Sequence, residues 1–203
     1  TGAALVADQV GSFPPNPALK NAAGQRMSTP PYFALATDAV RFVGQPVAAV
    51  LAESRAAAEA AAALVYVDYE PLPAVASIAA ALADGAPQLW PDAPGNVAAV
   101  SRFGDAAFAK AHHVTRSAVL NQRLAPVTIE PRGARAVYAG GRLTLQAASQ
   151  NPSGMQQSLA KLLGLPAEQV RVTVGDVGGG FGMKTLLHAE DVVCAYAARK
   201  LGR

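Results

Sequence analysis

The feature that most constrains this chain is a glycine-rich turn between a strand pattern and a helix pattern. Residues 170–174 alternate apolar and polar side chains, as a strand does, and a helical pattern begins near Leu187. Between them lies the sequence DVGGGFG, residues 176–182. Glycines at such a turn let backbone N–H groups approach a ligand closely, and the start of the following helix favours negative charge. The predicted occupant is an anionic cofactor or a phosphate.

The glycine-rich turn fits three interpretations. A Rossmann G-x-G-x-x-G motif fails because Met183 stands where the third glycine, counted from Gly178, is needed. A P-loop requires a glycine directly before Lys-Thr, and Met183 separates Gly182 from Lys184 and Thr185. This near miss leaves a P-loop nucleotide binder as one alternative. A tight structural turn is another, although four glycines around one phenylalanine favour a binding role.

Composition excludes several classes of protein. With 203 residues, 51% of them hydrophobic, the chain can bury a core, while only 15% are charged, which suggests burial against other chains. The formal charge of +3 is too small and scattered for a nucleic-acid footprint. The single cysteine, Cys194, excludes an internal disulfide framework and a cysteine-based zinc site.

The two ends of the sequence, TGAAL and KLGR, do not resemble natural termini, which predicts a fragment or a split subunit. There is no secretory signal pattern at the start and no apolar run of membrane-spanning length. We expect a cytoplasmic location, with the periplasm as the alternative.

The first half of the chain contains one predicted βαβ unit. Prolines up to about residue 42 predict extended or looping chain. A buried strand over 46–51, a helix over 55–63 with Ser54 as its N-cap, and a strand over 64–70 follow. Residues 77–103, rich in turn residues, predict a linker crossing a surface.

The second half alternates strands and helices. Asn151 is predicted to cap a helix that has Pro152 at its first position and Gly164 at its end. A Gly140-Gly141 turn predicts a hairpin. The remaining predicted elements are a helix from Asp105 to Ala111, strands over 114–121, 134–138, 142–147 and 170–174, and a helix over 187–201.

Several polar residues are candidates for a site. Gln150, at the end of a predicted strand, can reach into a crevice with an amide that donates and accepts, although by itself the residue favours a role in satisfying local backbone groups. An ion pair between Glu130 and Arg132 that fixes a bend is favoured over a catalytic acid. His112 and His113 point to opposite faces of a predicted strand and cannot share a metal. Cys194 has the setting of a core thiol. No catalytic residue and no metal ligand is predicted.

Taken together, four segments resemble the molybdenum hydroxylase family, the molybdenum-binding large subunits of xanthine dehydrogenase, aldehyde oxidase and carbon monoxide dehydrogenase type enzymes. They are 42–50 through 69–75 (the family's α/β hammerhead domain), 129–133 (its M-E-P-R segment), 150–152 (its T-Q-x-P turn) and 176–182 (its D-V-G-G-G-F-G loop). The implied fold is α+β. It comprises an N-terminally incomplete hammerhead domain over 1–78, a linker over 79–103, and the N-terminal portion of a molybdopterin-binding domain over 104–203.

The resemblance also implies roles. Gln150 would approach the oxo ligand of molybdenum, and four loop residues would contact the molybdopterin-type cofactor: Gly179, Gly180, Phe181 and Gly182. The implied activity is that of a component of a molybdopterin-dependent hydroxylase or dehydrogenase, which oxidises an aldehyde or heteroaromatic substrate with oxygen from water. Electrons would pass to iron–sulfur and FAD partner chains.

Two departures from the family pattern matter. Many relatives continue the loop as G-K-E, whose glutamate contacts substrate, whereas this chain has Met183-Lys184-Thr185, which argues against purine chemistry. The family's catalytic glutamate lies downstream of the last residue here. We therefore expect the chain to be inactive until another chain or region supplies the base. A non-catalytic fragment or assembly subunit that keeps the fold is the remaining alternative.

Overall fold

The computed structural model describes residues 1–14, 27–100, 110–122 and 124–203. The helices in these ranges are α1 Gly2–Ala7, α2 Arg55–Ala62, α3 Ile78–Ala81, α4 Pro152–Leu163 and α5 Ala189–Leu201. The strands are β1 Ala134–Ala139, β2 Arg142–Ala147 and β3 Val170–Thr173, and short 3-10 turns cover Pro94–Asn96 and Ala167–Gln169. The chain divides into two compact units, one of Thr1–Pro14, Pro31–Ala74 and Thr128–Arg203, the other of Pro15–Pro30 and Val75–Val127.

The first unit is built on a mixed sheet with the order β1-β2-β3. β1 and β2 pair antiparallel through a hairpin whose turn residues, Gly140 and Gly141, have φ of 56° and 76°. Positive φ at both positions matches the twist of the flanking strands, which confirms the predicted glycine hairpin. β3 pairs parallel to β2 after the α4 crossover. The sheet and its helices confirm the expected α+β class.

The core lies on one face of this sheet. On β2, Leu143 and Leu145 are fully buried, while Arg142 and Gln146 on the opposite face are exposed. Helices α4 and α5 cover the apolar face, α4 beside β3 and α5 beside β1 and β2. Their buried residues at helical spacing are Met155, Leu159, Leu162 and Leu163 on α4, and Val192, Ala195 and Ala198 on α5. This layer holds the end of β2 and the chain after β3 in fixed positions.

The ends of α4 follow the sequence prediction. The Asn151 side chain accepts a hydrogen bond from the Gly154 N–H, and Pro152 is the first helical residue. Gly164 ends the helix in the left-handed conformation at φ 61°. These confirmed caps satisfy backbone groups that helix termini leave without partners. The residues at the two ends of α4 therefore determine its boundaries.

Helix α1 contradicts the expectation of extended or looping chain before residue 42. It is anchored at its start, where a Cβ on Gly2 would lie 2.1 Å from the Ala36 carbonyl oxygen, so only glycine allows this approach. Beyond its other end, Asp8 accepts hydrogen bonds from Tyr196 and Lys200 of α5. The long-range contacts of α1 explain why the proline-rich composition around it gave no sign of a helix.

The predicted βαβ unit in the first half is wrong. Helix α2 forms as expected, and the Ser54 hydroxyl accepts from the Ala57 N–H, but α2 buries none of its residues. Neither 46–51 nor 64–70 belongs to a strand, and Leu64 and Tyr66 are more than 80% exposed. Alternation of apolar residues marks a strand's faces, but a strand exists only where another segment completes its ladder. No described segment does so here.

The second unit contains more local structure than the predicted linker. Asn96, at φ 57°, accepts from the Leu89 N–H and donates to the carbonyls of Ala81 and Pro87, tying α3 to the 3-10 turn. The strand predicted over 114–121 is wrong for the same reason as above, and His112 and His113 are therefore not on a strand. The helix predicted over 105–111 falls mainly on 101–109, outside the described residues. Among the helices that the structure describes, none combines the length and the apolar character that a membrane span requires.

Candidate functional site: a glycine loop against a carboxamide

The glycine loop, residues 176–182, occupies the turn between β3 and α5 that the sequence predicted. Gly178, Gly179 and Gly182 have φ of 57°, 93° and 86°, a region that glycine adopts without steric cost. Phe181 shares it at φ 48°, and the residue is 73% exposed. A large apolar ring held outward by a left-handed backbone is typical of a contact surface, since strained conformations at non-glycine residues concentrate at functional sites.

Gln150 lies directly against the glycine loop. It leaves the end of β2 just after the buried Ser149, and its own N–H donates to the Lys184 carbonyl at 2.9 Å. Its side-chain Oε1 accepts from the Gly182 N–H at 3.1 Å and the Lys184 N–H at 3.3 Å. Both partners are donors, so the bonded atom is the oxygen, and the orientation of the amide is settled. The Nε2 group donates to none of the described residues and is free for a ligand.

Two glycines permit this close packing. A Cβ on Gly180 would lie 2.3 Å from the Gln150 side-chain Cδ, and one on Gly178 would lie 2.1 Å from the Glu130 Cβ. A larger residue fits at position 180 only if Gln150 moves, and at position 178 only if Glu130 moves. The bare backbone thus brings three segments together: the end of β2, the chain around Glu130, and the glycine loop.

None of the six backbone N–H groups from Asp176 to Phe181 has an acceptor in the described part of the chain, those of Gly179, Gly180 and Phe181 included. The loop does form an internal bond, from the Met183 N–H to the Gly180 carbonyl at 2.8 Å. Backbone donors in folded proteins are nearly always paired with protein, water or ligand. Successive free N–H groups in a glycine turn suit an anion.

Lys184 is buried under the loop and does not face a ligand. Its side chain is among the largest fully buried ones, with 1% of the residue exposed. The Nζ group donates to the Glu130 carbonyl at 2.8 Å and the Val177 carbonyl at 2.5 Å. A P-loop lysine must project towards phosphate oxygens, so this geometry argues against the nucleotide-binding alternative. The sequence did not predict the buried, structural role of Lys184, because lysine side chains are usually exposed.

The predicted ion pair between Glu130 and Arg132 is wrong. Arg132 instead pairs with Glu190, in the first turn of α5, at 2.6 Å. Burial acts to raise the pKa of Glu190, but hydrogen bonds and the positive charge of Arg132 outweigh it and lower that pKa. Glu130 contributes its backbone: its carbonyl accepts from Lys184 and from the Thr128 hydroxyl. The bend is therefore fixed by long-range contacts.

A cavity of about 710 Å³ lies beside α5, and none of the predicted cofactor-binding residues lines it. Cys194 borders this cavity and is half-buried, with its Sγ 3.7 Å from the Ala134 carbonyl oxygen. Burial raises the pKa of its thiol. Within the ranges that the structure covers, no cluster of histidine, cysteine, aspartate or glutamate can hold a metal ion. The glycine loop remains the stronger candidate site.

Two family models match parts of this chain. Residues 89–203 match the model of the molybdopterin cofactor-binding domain. Residues 15–73 match that of the aldehyde oxidase and xanthine dehydrogenase a/b hammerhead domain. The chain belongs to the molybdenum hydroxylase family. The glycine loop and Gln150 both fall within the matched molybdopterin-binding segment.

Individual members of the family are similar over most of this chain. The 6-hydroxypseudooxynicotine dehydrogenase complex subunit gamma of Paenarthrobacter nicotinovorans is 40% identical over 83% of the chain and 22% of its own length. The nicotine 6-hydroxylase large subunit of the same organism is 37% identical over 82% of the chain and 21% of its length. The crystal structure of quinoline 2-oxidoreductase from Pseudomonas putida 86 superposes on this chain with a TM-score of 0.82 and 36% sequence identity. The match covers 100% of this chain and 26% of that one. The chain thus spans about a fifth of the curated relatives.

Proposed function

We propose that this chain forms part of the molybdenum cofactor site of a molybdopterin-dependent oxidoreductase. One observation carries the proposal: Gln150 is fixed against the glycine loop by its oxygen, which leaves its Nε2 donor free beside a loop whose backbone N–H groups are unused from Asp176 to Phe181. The cofactor-binding residues are Gln150, Gly179, Gly180, Phe181 and Gly182.

The donor set suits such a cofactor. The Nε2 of Gln150 would donate to an oxo group on the metal, and its anchored oxygen prevents the amide from turning. The exposed Phe181 ring would cover the flat pterin, and the loop N–H groups would face its anionic atoms. When bound, the cofactor supplies oxidation of a substrate carbon with oxygen from water. The protein's part is to bind and orient it.

The substrate class is proposed to be a heteroaromatic compound or an aldehyde. The similar proteins named above carry the names of nicotine, a nicotine derivative and quinoline, which favours a nitrogen heterocycle. Thr185 stands where many relatives have the glutamate that contacts substrate, which disfavours purines. A catalytic base from another chain or region, and iron–sulfur and FAD partner chains, would complete the enzyme. The division into 1–78, 79–103 and 104–203 is part of the same proposal.

Analysis of the purified native complex tests this function. We expect molybdenum by elemental mass spectrometry and a pterin by fluorescence after oxidation, both lowered in a Gln150→Ala variant. A complex with neither group would favour a non-catalytic subunit. Stabilisation by ATP without molybdenum would restore the P-loop alternative.

A further inference from the structure

Lys184 contacts every segment of the candidate site, although its buried side chain does not face the place proposed for the cofactor. Its N–H donates to the Gln150 oxygen, and its carbonyl accepts from the Gln150 N–H. Its Nζ reaches the carbonyls of Glu130 and Val177. These four hydrogen bonds join the end of β2, the chain around Glu130, and the glycine loop through a single residue.

The burial of this ammonium group demands an explanation. None of the four ion pairs among the described residues includes Lys184, and both acceptors of its Nζ are neutral carbonyls. A buried charge without a counter-ion is costly, even when it is hydrogen-bonded. A methionine of similar length would fill the same space without that cost. The positive charge of Lys184 therefore points to a function that a methionine could not provide.

We propose that Lys184 is a positioning residue for the molybdenum cofactor. Its Nζ fixes the glycine loop at Val177 and the chain at Glu130, so that Gln150 and the free loop N–H groups keep one geometry. Its positive charge beneath the loop also favours an anionic occupant, since water is excluded around the buried ammonium and screens it little. This inference rests on the function proposed above and adds a residue that does not touch the cofactor.

A pair of lysine-to-methionine variants in the native complex provides the test. Lys184→Met keeps the side-chain length and removes the donors and the charge. Lys200→Met is the matched control, because it removes one lysine that pairs with Asp8 at 2.6 Å and has no contact with the loop. Thermal unfolding of both variants measures how much general stability each loses.

Hydrogen–deuterium exchange gives a readout that does not depend on activity. In Lys184→Met we expect exchange in peptides covering 128–130 and 177–184 to rise about tenfold, as a loss of about 1.4 kcal/mol of local stability requires. In Lys200→Met the change should be confined to α5 and α1. Unchanged exchange at 177–184 in Lys184→Met would overturn the proposal.

The bound cofactor gives a second readout. Lys184→Met should lose molybdenum and pterin about tenfold faster than wild type, and the visible circular dichroism of the cofactor that remains should change. A merely structural lysine would alter melting but leave that spectrum unchanged, which would refute the positioning role. If the wild-type complex contains no molybdenum, the proposed function fails instead, and the exchange experiment still decides whether Lys184 holds the loop.

Discussion

Adding one methyl group to the glycine loop should remove Gln150 from the site. In Gly180→Ala the new Cβ would lie 2.3 Å from the Gln150 Cδ and 2.4 Å from its Oε1. The carboxamide must move by about 1 Å to reach ordinary contact distance. Gly180, unlike its neighbours, has no positive φ, so alanine meets this contact without added backbone strain. The perturbation is thus confined to one side chain.

The size of the effect follows from the two bonds that the displacement breaks. Oε1 of Gln150 loses the N–H groups of Gly182 and Lys184, each worth about 0.5–1.5 kcal/mol. Because Gln150 is exposed and water can replace these donors, we expect about 1 kcal/mol of lost stability. Turnover should suffer more, since a 1 Å error in a positioned group can cost about a hundredfold in rate.

The assay compares cofactor content and thermal unfolding in two glycine variants. Gly141→Ala is the matched control: its φ is 76°, nothing lies within 4 Å of the added Cβ, and it belongs to the β1–β2 turn. It should cost about 1–2 kcal/mol through backbone strain alone and leave the molybdenum content unchanged. Gly180→Ala should lower molybdenum content and turnover at a similar or smaller loss of melting temperature.

A double variant decides whether the methyl group acts through Gln150. In a Gln150→Ala background the atoms that clash are gone, so adding Gly180→Ala should have little further effect on cofactor content. If the two substitutions instead lower cofactor content independently, or if Gly180→Ala alone keeps its full complement of molybdenum, the steric argument is refuted.

Three further predictions concern the scaffold. Asn151→Ala should lower the free energy of unfolding by about 1 kcal/mol in denaturant titrations, because the Gly154 N–H loses its cap, whereas Asn151→Ser should recover most of it. Equal stability of both variants would contradict the cap. Leu159→Ala, in the fully buried centre of α4, should cost about 2–5 kcal/mol in the same titration, and a loss under 1 kcal/mol would indicate a collapsible site. Glu190→Gln should cost about 0.2–1 kcal/mol at pH 7, since the pair with Arg132 is partly exposed. Because folding lowers the pKa of Glu190, the stability from this pair is present above the ordinary glutamate pKa of 4.5 and is lost as pH falls. The difference in Tm between wild type and variant should therefore vanish in acid, and a constant difference would refute the linkage.

The sequence was most informative where neighbouring residues decide the structure. Asn151, Pro152 and Gly164 gave the limits of α4, and the glycine pair gave the hairpin. The glycine loop was recognisable because residue types that free the backbone stood together between a strand and a helix pattern. Such signals act within a few positions, so they are readable without knowing the fold.

The tertiary structure decided which distant segments meet. Gln150 is 32 residues from Gly182, Lys184 is 54 from Glu130, and Arg132 is 58 from Glu190. The family resemblance predicted that Gln150 and Gly182 share a site, whereas the contact between Lys184 and Glu130 was not predicted and Arg132 was assigned the wrong partner. The same limit explains the strands wrongly predicted over 46–51 and 64–70, because alternation is local but ladder pairing is not. Burial of Lys184 had no local signal, since it depends on carbonyl groups that only the folded chain brings within reach.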